Sequence, residues 1–146
     1  GPGDPFVAPL PKVWPATACI LTSCGKQVFV EQFANRPGVY ANRYQAWLGG
    51  DQPEISITNP RARTNLRILV LHDSYGSPLV AYLTASARYV TAVDERSFKG
   101  SLPKLAASGK YDLVIVAHNI RTMLGDAGFS TTTWKGAPPP SKGARE

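Results

Sequence analysis

No apolar run in the sequence approaches the ~20 residues that a helical membrane span requires, so no such span is expected. A basic-then-apolar leader is also missing at the start. Gly1, Pro2 and Gly3 read as a cloning scar, so that absence says little about location. Cysteine is scarce: Cys19 and Cys24 stand with four residues between them and no histidine nearby. A zinc site is not expected from such a pair, and the spacing is not the C-x-x-C of thiol redox enzymes. A small disulfide loop in an oxidising compartment and two free thiols both remain open. Histidine is limited to His72 and His118, which narrows the choice of an imidazole base. No glycine pattern of the phosphate-cradling kind follows the first apolar strand, and no acidic cluster ends it. Nucleotide-binding and receiver-type readings are disfavoured accordingly. Arg61, Arg63 and Arg67 lie close together, but no aromatic ladder is interleaved with them, so no nucleic-acid partner is expected. No internal repeat is visible.

The 146 residues fit one domain and carry a net charge of +6. A surplus of that size bears first on solubility; an acidic polysaccharide is also compatible with it. Prolines crowd the two ends. Residues 1–25 read as a proline-rich arm or linker, 26–124 as an α/β domain, and 125–146 as a flexible proline- and glycine-rich tail.

Residues 27–33 alternate β-branched and aromatic side chains and predict a strand. Tyr40, Tyr44, Trp47 and Leu48 fall on one face of a short helix over 39–48, ended by Gly49 and Gly50. Core packing accounts for that stripe better than sugar stacking. A short strand over 54–58 stops at Asn59-Pro60. Residues 67–72 form a continuous apolar run, the mark of a strand buried on both faces in a parallel sheet. Ser77-Pro78 opens a helix whose buried stripe is Leu79, Val80, Leu83 and Ala87. A second strand over 89–93 ends at Asp94-Glu95-Arg96. A helix over 101–108 has Ser101 as N-cap and Gly109 just past its end. A third buried strand over 112–117 ends at His118-Asn119. Alternating strands and helices argue for an α/β fold, three-layered and mainly parallel.

Ligands of open parallel sheets bind beyond the carboxyl ends of the strands, where strand order reverses. With the order 2-1-3, the first and third of these strands are neighbours. Asp73, Ser74, Tyr75 and Gly76 then stand beside His118 and Asn119. Ser74 sits between a strand end and a helix start, where backbone N–H groups stabilise negative charge. That suits an acyl-transfer nucleophile; a serine that merely caps a helix would look the same.

The run Ile68-Leu69-Val70-Leu71-His72-Asp73-Ser74-Tyr75-Gly76 resembles the nucleophile block of the SGNH hydrolases. The order of motifs is most similar to the C-terminal part of SGNH-like proteins of the alginate O-acetylation machinery and their DHHW relatives. Asn59-Pro60, the strand end at Asp94-Glu95-Arg96 and the run 112–119 fit as well, over about residues 57–124. The resemblance implies an SGNH- or flavodoxin-like sheet, incomplete in this chain. It implies Ser74 as nucleophile, with Asn119 and the Ser74 N–H as oxyanion donors. Arg96 would contact acetyl or sugar oxygens, Asp73 would fix the turn, and Tyr75 would line the pocket. Gly100 is a candidate for a further donor. The implied activity is that of an esterase or O-acetyltransferase on acyl esters of a polysaccharide or other acylated carbohydrate. An acyl-donor protein is a further possible partner, the location is the periplasm or cell surface, and no cofactor is implied. The relatives draw their base from an Asp-x-His-Trp-like motif upstream of the serine. No such motif occurs here, and His72 takes the glycine position of the nucleophile block. The base is then upstream of this chain, or it is His118, or catalysis is lost and a carbohydrate-binding role kept.

Overall fold

The computed structural model describes residues 17–20, 23–38 and 43–120. Tyr40, the proline-rich stretch before residue 17 and the tail over 125–146 lie outside the described residues. The elements are β1 (Thr17–Ile20), β2 (Ser23–Gln27), α1 (Glu31–Ala34), β3 (Glu54–Thr58), β4 (Thr64–His72), α2 (Ser77–Leu83), β5 (Ala87–Asp94), α3 (Leu102–Ser108) and β6 (Leu113–Ala117). Single 3-10 turns cover Arg43–Ala46 and Ser74–Gly76.

The strands form one sheet in the order β2-β1-β3-β5-β4-β6. β4 pairs in parallel with β5 on one side and with β6 on the other, the 2-1-3 arrangement expected of these strands. The remaining pairings, β5 with β3, β3 with β1 and β1 with β2, are antiparallel. The sheet is therefore mixed rather than mainly parallel. β1 and β2 arise within the stretch read as an arm, so the sheet starts at Thr17, ahead of residue 26. Cys19 and Cys24 form a disulfide across this hairpin.

The β4 side chains divide between two clusters. Ile68 and Val70 pack with Ile55, Ile57, Val90, Ala92, Trp47 and the α2 residues Val80 and Ala81. Leu69 and Leu71 pack with Val93 and with Leu102 of α3. Burial on both faces explains the continuous apolar run of β4. β3 instead alternates, with Ile55 and Ile57 buried and Ser56 exposed, as an antiparallel strand open on one face does. Asn59, fully buried, joins β3 to the far end of α2: its amide donates to the Thr84 carbonyl (2.7 Å) and its side-chain oxygen accepts from Arg61 N–H.

Several expectations need correction. Residues 27–33 do not extend a strand: β2 ends at Gln27, Phe29 makes an isolated bridge to Trp47, and α1 follows. The aromatic pair holds this segment instead, with ring centroids 4.9 Å apart. The helix expected over 39–48 is, within the described residues, only the turn Arg43–Ala46. Trp47 and Leu48 are buried, in keeping with the core reading. In the α2 stripe, Leu79 is exposed and Ala87 opens β5. Gly109 is right-handed, and Lys110 adopts the positive φ after α3. β6 is not buried: it is an edge strand with Leu113, Val114 and Val116 between 44% and 48% exposed.

Candidate functional site

The carboxyl end of β4 leads through Asp73, extended and fully buried, into the turn that carries Ser74. Asp73 Oδ1 accepts from Tyr75 N–H (2.9 Å). Its Oδ2 accepts from the backbone N–H (2.8 Å) and the side-chain amide (2.7 Å) of Asn119. One carboxylate thus caps the turn and ties it to the end of β6. The strand-end juxtaposition inferred from sequence is present, while the Asn119 amide already serves Asp73.

Gly76 is required for steric reasons. A Cβ there would lie 2.5 Å from the His72 Cβ and 3.2 Å from the Ala117 carbonyl oxygen. The N–H groups of Gly76 and Ser77 bond to the carbonyls of Asp73 and Ser74. Among the described residues, the N–H of Ser74 is the donor of this turn left without a partner. A Cβ on Gly100 would meet the ring of Phe98, and no contact links Gly100 to Ser74 among the described residues.

Arg96 reaches Ser74 from the end of β5. Its Nε and Nη2 form a two-point contact with buried Asp94 (2.9 and 2.6 Å), and Nη2 also meets Asp51 (2.8 Å). Nη1 faces Ser74 Oγ at 3.5 Å. The Asp94 hydrogen bond is the main reason the guanidinium is held more firmly protonated than usual. Because a guanidinium only donates, the Ser74 hydroxyl proton points away from Arg96. Among the described residues no imidazole or carboxylate accepts it.

His118 lies elsewhere. Its Nε2 is 2.6 Å from Glu95 Oε2 and its Nδ1 is 4.0 Å from Asp73 Oδ2, with the imidazole buried. Burial raises the Glu95 pKa and the imidazole opposes that rise. His72 is buried under the turn. Its Nδ1 meets the Asp73 carbonyl oxygen at 2.7 Å, which can only accept, so Nδ1 carries the proton. Nε2 is then a bare buried acceptor. Burial lowers the His72 pKa and keeps the ring neutral.

Two recesses flank the turn. A cleft of about 380 Å3 is lined by Tyr44, Gln45, Gly50, Asp51 and Ser74. A smaller one of about 220 Å3 lies between α2 and β6, lined by Tyr75, Leu79, Ala117, His118 and Asn119 among others. Tyr75 is 72% exposed at its mouth. Burial pushes the Tyr44 hydroxyl up to about 12, with Ser77 opposing it. Sequence reasoning missed Asp51, Tyr44 as a wall of the Ser74 cleft, and Glu95 as the partner of His118. Glu95 was within reach of it: an acidic residue at one strand end beside a histidine at another is a pairing signal. Asp51 was not, because its approach depends on a bend at Leu48, Gly49 and Gly50, all with positive φ.

The fold and site define an α/β protein whose central parallel strand ends in a serine-bearing turn. No family model and no curated protein matches the chain. Among solved structures, Bacillus cereus PatB1 superposes with a TM-score of 0.60 at 21% identity, over 77% of this chain and 37% of that one. A DHHW family protein from Eubacterium siraeum superposes with a TM-score of 0.54 at 21% identity, over 70% of this chain and 34% of that one. A PatB1 structure with a sulfonyl adduct matches at 25% identity over 52% of this chain and 27% of that one, TM-score 0.47. The chain spans about a third of the length of these solved chains. At the level of fold, PatB1 and the DHHW protein agree with the DHHW and SGNH-like resemblance.

Proposed function

We propose that this chain is part of an SGNH-like, three-layer acyl-processing domain with Ser74 as its nucleophile. The observation that carries the reading is the exposure of Ser74 Oγ to a cleft at the end of the central parallel strand, with the Arg96 guanidinium on its far side. PatB1, an acetyltransferase, shares the fold. Ser74 Oγ bonds to the acyl carbon of an ester while its own proton passes to a base. The tetrahedral oxygen takes negative charge, met by the Ser74 N–H and the Arg96 Nη1 edge. The ester C–O bond then breaks and the alcohol departs with a proton. Water resolves the acyl-serine in an esterase, and a sugar hydroxyl resolves it in an O-acetyltransferase. The substrate is an acetylated carbohydrate, met at the cell surface or in the periplasm, and an acyl-donor protein suits the transferase form. Since His118 is engaged with Glu95, we assign the base to a segment outside the described residues. Asn119 positions Asp73, and Tyr75 gates the smaller recess.

A binding module is the second reading, favoured by the fact that Ser74 contacts an arginine and no base among the described residues. Incubation with an activated acetyl ester followed by intact-mass spectrometry separates the two. One acetyl group on the wild type, absent from Ser74→Ala, supports acyl transfer. A wild type that stays unmodified with its base-bearing segment present supports the binding module.

A further inference from the structure

Far from Ser74, the amino ends of the parallel strands gather cations. The turn over 59–63, between β3 and β4, holds Arg61 and Arg63, both exposed. It is fixed on the start of β5: Asn59 N–H bonds to the Arg88 carbonyl (2.9 Å) and Thr64 N–H to the Ser86 carbonyl (2.9 Å). Arg67 of β4 and Arg88 of β5 both lie against the Tyr89 ring, with guanidinium carbons 4.3 and 5.8 Å from its centroid. Lys110 stands two residues ahead of Asp112, whose N–H bonds to the Arg67 carbonyl (2.9 Å). The carboxylate among these five cations is Asp112, and its Oδ2 accepts from the Arg67 backbone N–H (2.7 Å) rather than from a cation. Among the described residues, none of the five is in an ion pair.

The other described carboxylates lie elsewhere. Asp51, Asp73, Asp94 and Glu95 stand at the carboxyl ends of the strands, where Glu54 pairs with Val93. Glu31 is on α1, which packs on the turn Arg43–Ala46 beside the Ser74 cleft. The undescribed residues do not reverse the balance: they hold three acidic side chains, Asp4, Asp126 and Glu146, against five lysines and arginines.

The arginines on Tyr89 are held rather than loose. Arg88 Nη1 donates to Asn65 Oδ1 at 3.3 Å, and its Nε is shielded from water without a hydrogen-bond partner. A guanidinium has five N–H donors, so most of this capacity is unspent. Two like charges within about 10 Å, a screening length at 0.1 M salt, repel each other, and an anion beside them relieves that repulsion. Guanidinium also matches the planar oxygens of a carboxylate. Tyr89 already has a guanidinium over its ring and offers a nucleobase no open face to stack on. Around it Thr64, Asn65 and Ser86 are exposed, with hydroxyl and amide groups suited to sugar hydroxyls.

We propose that this end of the sheet binds an anionic polysaccharide, its carboxylates lying along Arg61, Arg63, Arg67 and Arg88. The surface is roughly 20–25 Å along β4 from Ser74, and its binding does not depend on the acyl-transfer reading. On that reading, a glycan anchored here keeps its esters at raised effective concentration near the serine.

The probe is polygalacturonate, a uronate polymer, titrated into the chain at about 50 mM salt with neutral dextran and single-stranded DNA beside it. The chain is expected to bind polygalacturonate and not dextran, with Ser74→Ala binding as the wild type does. Arg67→Gln with Arg88→Gln weakens binding at least about tenfold and lowers the salt slope by about two. Lys99→Gln with Lys104→Gln, the same loss of charge at the start of α3, weakens it less than about twofold. Arg61→Gln with Arg63→Gln, on exposed side chains, costs at least about threefold and keeps the test sharp if melting shows the Tyr89 arginines to be needed for folding. No binding of polygalacturonate overturns the proposal. So do equal losses in the arginine and lysine variants, an affinity untouched by Arg61→Gln with Arg63→Gln, or DNA bound as tightly through the same arginines. Failure of Ser74 to take an acetyl group with this binding intact would sink the acyl-transfer reading alone.

Discussion

Asp73 concentrates more of the local structure than any other side chain near the serine. Its two oxygens receive Tyr75 N–H, Asn119 N–H and the Asn119 amide inside the protein. Asp73→Ala leaves those part-buried donors without their acceptor and is expected to cost roughly 1–3 kcal/mol, read as a lower urea midpoint. Gly76→Ala acts through space instead. The added methyl meets the His72 Cβ and the Ala117 carbonyl, so a loss of about 1–3 kcal/mol is expected, with no rescue in the double variant Gly76→Ala, His72→Ala, which keeps the His72 Cβ. His72 also sets a pH dependence. Its pKa is lower folded than unfolded, so its contribution is complete above about 6.5 and is lost as pH falls through the folded value. Glu95, raised by burial, has the opposite sign: its share is lost as pH rises above the ordinary carboxylate range. His72→Asn should therefore flatten the loss of stability below pH ~6.5 in urea titrations. An unchanged slope would assign that loss to other groups.

Among the elements, β4 was the most legible in the sequence. Burial on both faces leaves a continuous apolar run, and the 3-10 turn and α2 follow where Ser74, Ser77 and Pro78 stand. The same rule misled for β6. Its residues 113–117 are as apolar as those of β4, yet composition does not say whether a neighbour covers them. β6 ends the sheet with Leu113, Val114 and Val116 open, an edge prone to pair with another chain. We expect the isolated protein to self-associate with rising concentration in sedimentation velocity, and Val116→Lys to lessen this without lowering the melting temperature. β1 and β2 were illegible for another reason: short, polar and rich in small residues, they read as linker. They gain their place by pairing with β3 and through the Cys19–Cys24 bridge. Reducing that short loop should cost on the order of 2 kcal/mol, with faster amide exchange in β1 and β2 while β4 and β5 keep their protection.

Over the whole molecule, three parallel strands bring Ser74, Arg96 and Asn119 to one end of the sheet. That convergence was legible once a 2-1-3 order was supposed, because alternating strands and helices imply parallel strands though not their order. What the sequence hid was contact from a distant loop, Asp51 on Arg96. It depends on the bend at Leu48, Gly49 and Gly50, which no periodicity encodes. The central claim is that Ser74 is a nucleophile, and fluorophosphonate labelling of the protein with its base-bearing segment present, beside Ser74→Ala and Arg96→Lys, tests it most directly. The account predicts a single labelled site in the wild type, no label in Ser74→Ala, and weaker label in Arg96→Lys. A wild type that takes no label, or one labelled equally in Ser74→Ala, contradicts it.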